Sequence, residues 1–318
     1  MRKIAVFIAL ILFVSCNKKS EINSEISDID ITFDIERFDL MFNNTSEENL
    51  LELKTAYPFL FSKSIPDSIW VARLSDSLQK GLRNEVKNTF SNIKPLQTEI
   101  ENLFKHLKYF DKTFNTPRVI SIISDVDYRT KVKVTDSIVL VGLDTYLGKE
   151  HKYYQNIYEY IKQNMEKSQI VSDLATQYAF KYIYQSRPRT FLDEMVYHGK
   201  ALYFKDKVIP FKTNAEKIGY TEVDLVWAQE NEQYIWENFV ENQLLYDTDS
   251  KLVSRFINPA PFSKFGLQLD SESPGEIGKY IGWQIVIAYM ENNNVSLLDM
   301  LKKEPTEIFN NSKFKPRK

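Results

Sequence analysis

Residues 273–290 read SPGEIGKYIGWQIVIAYM, and this stretch decides the fold that we predict for the chain. Its first four residues combine the signals of a helix N-terminus. Ser273 is a preferred cap, Pro274 suits the first helical position, and Glu276 stands three residues after the cap, where it can complete a capping box. The sequence therefore predicts that a helix begins at this point.

The predicted helix, near residues 277–291, is apolar on nearly every side. A helix of this kind is buried on all its faces, because an exposed face would carry polar residues. Gly278 and Gly282 stand four residues apart and share one face, where they allow a neighbouring backbone to approach closely. We therefore expect this helix to lie inside the protein, with another segment of the chain packed against its glycines.

The other segments predict an α+β fold that is mostly helical, with a small sheet. The segments RVISIIS, YRTKVKV and SIVLVGL, between residues 117 and 143, are short and β-branched like strands. The segment ITFDIERFDLMF, residues 31–42, alternates at Ile31, Phe33 and Ile35 and predicts another short strand. We expect the sheet to pack against several helices, with N-terminal helices covering one side. Helical patterns are predicted near residues 47–56, 69–86, 96–112, 152–167, 169–185, 190–204, 222–246 and 296–302.

The N-terminus resembles the signal peptide of a bacterial lipoprotein. Residues 1–16 read MRKIAVFIALILFVSC, and their apolar run is shorter than the roughly 20 residues that a membrane span needs. Ser15 directly before Cys16 resembles a lipobox. We therefore expect residues 1–15 to be a cleaved signal peptide and the Cys16 thiol to carry a diacylglyceryl group, with acyl chains such as palmitate. Cys16 is the only cysteine, which excludes an intrachain disulfide.

The rest of the chain is expected to form one folded unit on a short tether. Residues 16–30 are mostly polar and contain no aromatic residue, which predicts a flexible segment. Residues 31–310 are expected to form a single envelope-facing globular domain, because the helices from its two ends look too apolar to stand alone. Residues 311–318 form a basic tail that we expect to be solvated. The tether has no dense acidic run after the cysteine, which favours the periplasmic side.

The composition argues against several classes of function. The chain has 41 Lys and Arg against 43 Asp and Glu, and it shows no basic stripe of the kind that nucleic-acid binding requires. Its nine glycines form no G-x-G-x-x-G or Walker-type loop, so no nucleotide cofactor is expected. An aromatic content of 14% instead suits a well-packed, mostly helical globule. We therefore expect neither a nucleic-acid partner nor a cofactor.

Several stretches resemble the gliding-motility lipoprotein family GldB. They are FDIERFDLMF, PDSIWVARLSDSLQKGLRNEVKNTF, IVLVGLDTYLGKEHKYY and GKYIGWQIVIAYM, and with the lipobox they extend over nearly the whole mature chain. The resemblance implies a lipid-anchored cell-envelope protein of gliding Bacteroidetes. It also implies a role in motility and in the linked type IX secretion machinery, with other lipoproteins or motor components of that machinery as partners.

A second, looser resemblance is to predicted zinc proteases with a zincin-like, metallopeptidase-like fold. In zincins one helix carries H-E-x-x-H, whose histidines hold zinc, and in that protease family a third ligand precedes G-K-A. The corresponding helix here reads VSDLATQYAFKYIY, which places Ser172 and Thr176 at the histidine positions and Asp173 at the glutamate position. His198, just before the G-K-A of residues 199–201, takes the third position. Because hydroxyls bind zinc poorly, the resemblance implies a zincin-like fold with a degenerate active site.

Another ligand set stays open at this point. Glu194 and His198 stand four residues apart on a predicted helix and share a face, and with Asp173 they could rebuild a zinc site. The competing interpretation is that His198 is a hydrogen-bonded interior histidine. Glu194, like its acidic neighbour at 193, would then be a solvated or capping group near the helix start. The other two histidines, His106 and His151, have no partner at helical ligand spacing.

The leading hypothesis is a non-enzymatic, lipid-anchored scaffold or assembly factor for gliding motility and type IX secretion. A second hypothesis is an atypical zinc metalloprotease. A third is a periplasmic chaperone or ligand-binding module that uses the vestigial cleft as a pocket. On the helix predicted near residues 222–246, Trp227 and Trp236 would be anchors of a partner-binding face if they were exposed.

Overall fold

The computed structural model describes residues 24–184, 190–268 and 270–318. The predicted signal peptide, the predicted lipidation site Cys16 and the first part of the predicted tether lie outside the described residues. The rest of that tether, residues 24–30, lies against the domain. Ile26 is buried, and Lys105 donates a hydrogen bond to the Ser27 carbonyl oxygen. The packed part of the chain therefore begins before residue 31.

Four short strands form one sheet: Ile35–Arg37 (β1), Arg118–Ile122 (β2), Val132–Val134 (β3) and Ile138–Gly142 (β4). Their spatial order is β1-β2-β4-β3, in which β1 and β4 run parallel to β2 and β3 runs antiparallel to β4. β-branched residues favour this pleated conformation. The three strands predicted from the β-branched segments are confirmed, and the short strand predicted within residues 31–42 forms at Ile35–Arg37.

Helices make up most of the rest, which confirms a mostly helical α+β fold. No helix within the described ranges is both long and apolar enough to cross a membrane. Two predicted helices, near residues 69–86 and 222–246, are each divided into two shorter ones. The helices are Phe38–Asn43 (α1), Leu50–Ala56 (α2), Asp67–Ser75 (α3), Ser77–Thr89 (α4), Lys94–Phe110 (α5), Glu159–Lys162 (α6), Ile170–Tyr182 (α7), Phe191–Val208 (α8), Asn214–Ile218 (α9), Glu222–Glu230 (α10), Glu232–Glu241 (α11), Lys251–Phe256 (α12), Ile277–Asn292 (α13), Leu297–Lys302 (α14) and Pro305–Ser312 (α15).

The sheet separates two apolar clusters, because successive side chains of a strand point to opposite faces. On one face Val119 and Val139 belong to the main core, together with most of the buried helices. On the other face Ile120 and Leu140 pack in a smaller cluster with Phe38 and other residues of the N-terminal helices. The N-terminal helices therefore cover one side of the sheet.

The helices α8 and α13 lie at the centre of the fold and cross where both carry glycine. A methyl group on Gly282 would overlap the Met195 carbonyl oxygen, and one on Gly199 would overlap the Gly282 carbonyl group. Only a glycine lets two backbones approach this closely. The predicted burial of this helix is confirmed for most of its surface, since nine of its residues are buried, whereas Gln284, Ile287 and Ala288 on one side are half-buried.

The helix predicted near residues 277–291 is confirmed, but its predicted cap at Ser273 is wrong. The helix begins at Ile277, after Glu276 in the left-handed conformation with φ 60°. The Ser273 hydroxyl donates to the Asp270 carbonyl oxygen at 2.6 Å and does not cap the helix. The Ser263 hydroxyl, from a neighbouring loop, accepts the Ile277 N–H at 3.2 Å. The cap thus comes from a residue that the local sequence pattern does not contain.

The single helix predicted near residues 152–167 is also wrong. The structure has a 3-10 turn at Lys152–Tyr154 and then only the short helix α6. The Tyr154 side chain is fully buried, and its hydroxyl donates to the Asp144 carbonyl oxygen at 2.6 Å. This tertiary contact holds the segment in a compact turn, although its local pattern favours a helix.

The basic residues 311–318 combine exposed lysines with packed neighbours. The Phe314 and Trp236 rings lie edge to face with centroids 5.1 Å apart. The Arg317 backbone N–H donates to a Glu232 carboxylate oxygen at 2.9 Å. The end of the described chain is therefore held against α11, whereas its lysine side chains point to solvent as a solvated tail would.

Candidate functional site

A cavity of about 310 Å³ lies beside α7 and α8, near the first residues of α13. Its wall contains all four residues of the predicted vestigial site. Ser172, Asp173 and Thr176 reach it from α7, where their spacing keeps them on one side of the helix. His198 reaches it from α8. The structure therefore brings these four residues to one place.

The two hydroxyls of the site are engaged by the backbone. The Ser172 hydroxyl donates to the Glu216 carbonyl oxygen at 2.8 Å and so ties α7 to α9. The Thr176 hydroxyl donates to the Ser172 carbonyl oxygen, one turn earlier on the same helix, at 3.0 Å. Both hydroxyls therefore act as structural hydrogen-bonding groups.

Asp173 is paired with a cation. The Lys131 ammonium lies 2.6 Å from its carboxylate and also donates to the Asn164 carbonyl oxygen at 3.0 Å. The Tyr146 hydroxyl donates to the same carboxylate at 2.7 Å. Burial, reinforced by the negative charge of Asp173, raises the pKa of Tyr146 well above its usual value, so the phenol keeps its proton and remains a donor.

His198 is a neutral imidazole on the cavity wall. Burial lowers its pKa to about 3, and the positive charge of Lys279 acts in the same direction. Its ring packs edge to face against Phe180 and Tyr197. Within the described residues its ring nitrogens have no hydrogen-bond partner, so the expectation of a hydrogen-bonded interior histidine is not met.

Lys205 contributes a buried positive charge to the cavity. It lies two turns after His198 on α8, and its ammonium donates to the Ser172 hydroxyl at 3.0 Å and to the Lys217 carbonyl oxygen at 2.6 Å. Burial lowers the pKa of Lys205 to about 8, although the negative charge of Asp173 opposes this shift. At neutral pH the cavity therefore already contains a cation.

The other charges around the cavity occur in pairs. Lys279 forms an ion pair with Glu276, and Lys131 forms one with Asp173. Lys217 pairs with Asp206, whose carboxylate lies 3.0 Å from its ammonium. Among the described carboxylates none forms an ion pair with Lys205. One buried positive charge is thus left without a direct counter-charge.

The alternative zinc set is not assembled. Glu194 lines a separate cavity of about 140 Å³, whereas Asp173 and His198 line the lysine-containing one. Burial and the charge of Asp193 raise the pKa of Glu194. Asp193 completes a capping box with Thr190, as expected of an acidic residue at a helix start. In the ranges that the structure describes, no group of three or more His, Cys, Asp or Glu is arranged to hold a metal ion.

The other two histidines lie outside the cavity wall. The His106 ring is 2.7 Å from the Asn102 carbonyl oxygen on its own helix. The His151 ring accepts the Tyr153 backbone N–H at 3.3 Å and lies close to Glu85. Both therefore have local structural roles, in agreement with the absence of ligand spacing in the sequence.

Sequence reasoning missed the lysines of the cavity. Lys131 belongs to a segment that reads as a half-exposed strand, and Lys205 and Lys279 belong to helices in which lysine is usually solvated. A signal was present on α8, because His198, the apolar Leu202 and Lys205 recur at helical spacing on one face. A lysine on an otherwise apolar face is the observation that would have identified this site.

The helix pair α10 and α11 presents different residues from those we expected. Trp236 packs against Phe309 and Phe314, and Trp227 is partly buried against the core. The residues exposed on these helices include Val223 and Tyr234. The two tryptophans are therefore mainly packing residues.

Comparison with known proteins identifies the family. A family model described as gliding motility protein GldB matches residues 19–316. The chain belongs to the GldB family. The match includes every residue of the cavity wall, and the family is one of lipoproteins, which agrees with the predicted lipid anchor at Cys16. Searches of curated proteins and of solved structures gave no match, so zincin-like similarity of this GldB protein stays a prediction.

Proposed function

We propose that this GldB-family protein is a lipid-anchored, non-enzymatic scaffold or assembly factor of the gliding and type IX secretion machinery. Family membership supports the involvement in gliding motility. The lipobox at Cys16 supports a lipid anchor in a membrane, with the domain facing the periplasm. Other gliding and secretion lipoproteins, or motor components, are the partners that we propose.

One observation carries the non-enzymatic part of the proposal. The Lys205 ammonium donates to Ser172, which stands at the position where the zincin resemblance would require a metal ligand. A divalent cation at this point would meet a like charge in a buried, weakly screened environment, where repulsion is strong. The carboxylate of Asp173 is already occupied by Lys131 and Tyr146. The charge of the cavity is therefore the opposite of what a catalytic zinc site needs.

The anchor and the cavity can be tested separately in gliding cells. Cys16→Ala is expected to release the protein from the membrane fraction and to abolish colony spreading and secretion of a type IX cargo. Asp173→Asn and His198→Gln are expected to leave both intact when the protein level is unchanged. Loss of spreading in these two variants, at a normal protein level, would contradict a scaffold that needs no catalytic cleft.

Metal content gives an independent test. The full chain, purified from membranes in detergent, is expected to contain no stoichiometric zinc by mass spectrometry. Zinc at one equivalent that disappears in His198→Gln, but persists in the matched His106→Gln variant, would replace the scaffold by the metalloprotease alternative. Peptide-hydrolysing activity that follows the zinc would confirm that replacement.

Partner capture tests the assembly role. Crosslinking in cells and purification of the full chain are expected to recover other envelope lipoproteins or motor components, and Cys16→Ala is expected to lose them. The same partners recovered equally well without the anchor would show that membrane attachment does not organise the assembly.

A further inference from the structure

We propose that the lysine-lined cavity is a binding site for a small organic monocarboxylate with an apolar body. In this assignment the ligand's carboxylate accepts a hydrogen bond from the Lys205 ammonium, and its apolar part lies along α8 toward His198. The site goes beyond the scaffold role and does not depend on it.

The charge balance of the cavity defines the charge of the ligand. Three of its four lysines have a carboxylate partner within the described structure, and Lys205 does not. A buried charge without a counter-ion is costly, and one added negative charge would compensate it. An ammonium also has three donors, of which Lys205 uses two, for Ser172 and for the Lys217 carbonyl oxygen. A single carboxylate meets both requirements.

The residues of the cavity wall indicate the size and polarity of the uncharged part of the ligand. The wall contains apolar residues among polar and charged ones, and the apolar ones include Phe180, Ala201, Leu202, Ile218 and Pro259. Apolar side chains beside polar groups that fix the orientation of a ligand are typical of small-molecule sites. The volume of about 310 Å³ is at the lower end of the usual range for such sites, which suits a small organic acid.

The other end of the cavity carries His198, whose neutral ring offers one donor and one acceptor. Seven residues of α8 separate it from Lys205, which corresponds to about 10 Å along the helix axis. An elongated acid that lies on Ala201 and Leu202 can therefore present a polar group at this end. Inorganic phosphate satisfies the charged end only, since it has no apolar body for the walls.

The experiment uses the full chain in lipid nanodiscs and isothermal titration calorimetry at pH 7. The probes are hexanoate, phenylacetate and 3-phenylpropionate, each compared with its neutral amide, and inorganic phosphate. We expect at least one carboxylate to bind saturably, its amide to bind at least tenfold more weakly, and phosphate not to compete. Absence of binding by all three acids, equal binding of acid and amide, or displacement by phosphate would overturn the assignment.

Substitutions on α8 test whether the acid binds at Lys205. Lys205→Met removes the charge and keeps the length of the side chain, and we expect it to weaken carboxylate binding at least tenfold. Lys207→Met, a neighbouring exposed lysine on the same helix, is the matched control and should bind like the wild type. Equal affinity of the Lys205→Met variant and the wild type would show that the acid binds elsewhere.

A measurement on the unmodified protein covers the case in which Lys205→Met does not fold. Lysines are methylated with formaldehyde and cyanoborohydride, with and without a bound acid, and the modified peptides are quantified by mass spectrometry. We expect the acid to lower methylation of Lys205 several-fold and to leave Lys207 unchanged. Equal protection of both lysines, or of neither, would contradict a carboxylate seated at Lys205.

Discussion

The crossing of α8 with α13 and the cavity beside the end of α8 show two different uses of one helix. At the crossing, Gly199 and Gly282 leave no space for a methyl group, and the two backbones touch. Less than two turns later the same helix carries Lys205 on the wall of a cavity. The crossing fixes how closely α8 and α13 pack, because the two glycines have no side chains. The cavity holds a buried positive charge that has no carboxylate partner among the described residues.

The contrast extends to two buried lysines of α8. The Lys200 ammonium donates to the carbonyl oxygens of Leu301 and Lys303 at the end of α14, and nearby acidic residues favour its charge. Lys205 instead has two further lysines in its surroundings. Burial lowers the pKa of both to about 8, and both donate to a carbonyl oxygen at a helix C-terminus, Lys200 at α14 and Lys205 at α9, but only Lys205 lies on the wall of the cavity.

The largest effect is expected at the crossing. In Gly282→Ala the new methyl group would overlap the Met195 carbonyl oxygen, so α8 and α13 must move apart. We expect a loss of about 4 kcal/mol or more in the free energy of unfolding, or no folded protein, by urea denaturation.

Gly266→Ala is the control for the crossing variant. This glycine has φ +89° but nothing within 4 Å of an added methyl group, so only backbone strain of about 1–2 kcal/mol is expected. A Gly282→Ala protein as stable as the Gly266→Ala protein would show that the crossing tolerates a side chain.

The second effect concerns the structural lysine. Lys200→Met leaves the last carbonyl oxygens of α14 without their donor, and we expect a loss of about 2–3 kcal/mol in the free energy of unfolding. Lys302→Met, on the exposed side of the same helix end, is expected to change the midpoint of urea denaturation only slightly. Equal midpoints for the two variants would remove the distinction between the two buried lysines.

The third effect is a loss of stability in acid that depends on His198. Its pKa is about 3 in the folded protein, compared with 6.5 in the unfolded chain, so below pH 6.5 the unfolded state binds a proton that the folded state excludes. The wild type should therefore lose about 1–2 kcal/mol more than His198→Gln between pH 6.5 and 4.5. Parallel pH profiles of the two proteins would mean that the ring titrates normally in the cavity.

The smallest effect separates a binding lysine from a structural one. Lys205→Met removes a charge whose burial is unfavourable, together with two hydrogen bonds that partly offset this cost, so we expect a net rise of about 1 kcal/mol in the free energy of unfolding at pH 7. With the lowered pKa, the cost of the charge is complete below pH 8 and disappears as the pH rises from about 8 to the unfolded value of 10.5. The advantage of the variant should vanish over that range.

Asp173 and Glu276 favour the Lys205 charge, whereas Lys131 and Lys279 oppose it, and burial is the larger cause of the lowered pKa of Lys205. A Lys205→Met protein that is several kcal/mol less stable than the wild type would identify Lys205 as a structural residue.

Much of the fold could be predicted from local sequence patterns. The all-round apolar character of α13 predicted its burial, and Gly282 predicted a close backbone contact, because both properties are local. The cap of the same helix was not accessible, since Ser263 reaches Ile277 from another loop. The helix predicted near residues 152–167 was wrong for the same reason, because the hydrogen bond from Tyr154 to Asp144 outweighs a local helical preference.

The candidate site could be predicted from the sequence in part. A family resemblance pointed to Ser172, Asp173, Thr176 and His198, and the structure places all four on one cavity. Lys205 was missed because a lysine near a helix end is usually solvated. Its helical spacing with His198 and Leu202 was the one local signal, and the packing of α9 and α13 around it shows its burial directly.

The burial of Ile26 sets how far the domain can move from its attachment point. Even fully extended, the backbone between residues 16 and 26 reaches about 35 Å at most. If the proposed lipid is attached at Cys16, the domain therefore stays within about 35 Å of its point of attachment, and any partner on the same membrane would have to approach within reach of that distance.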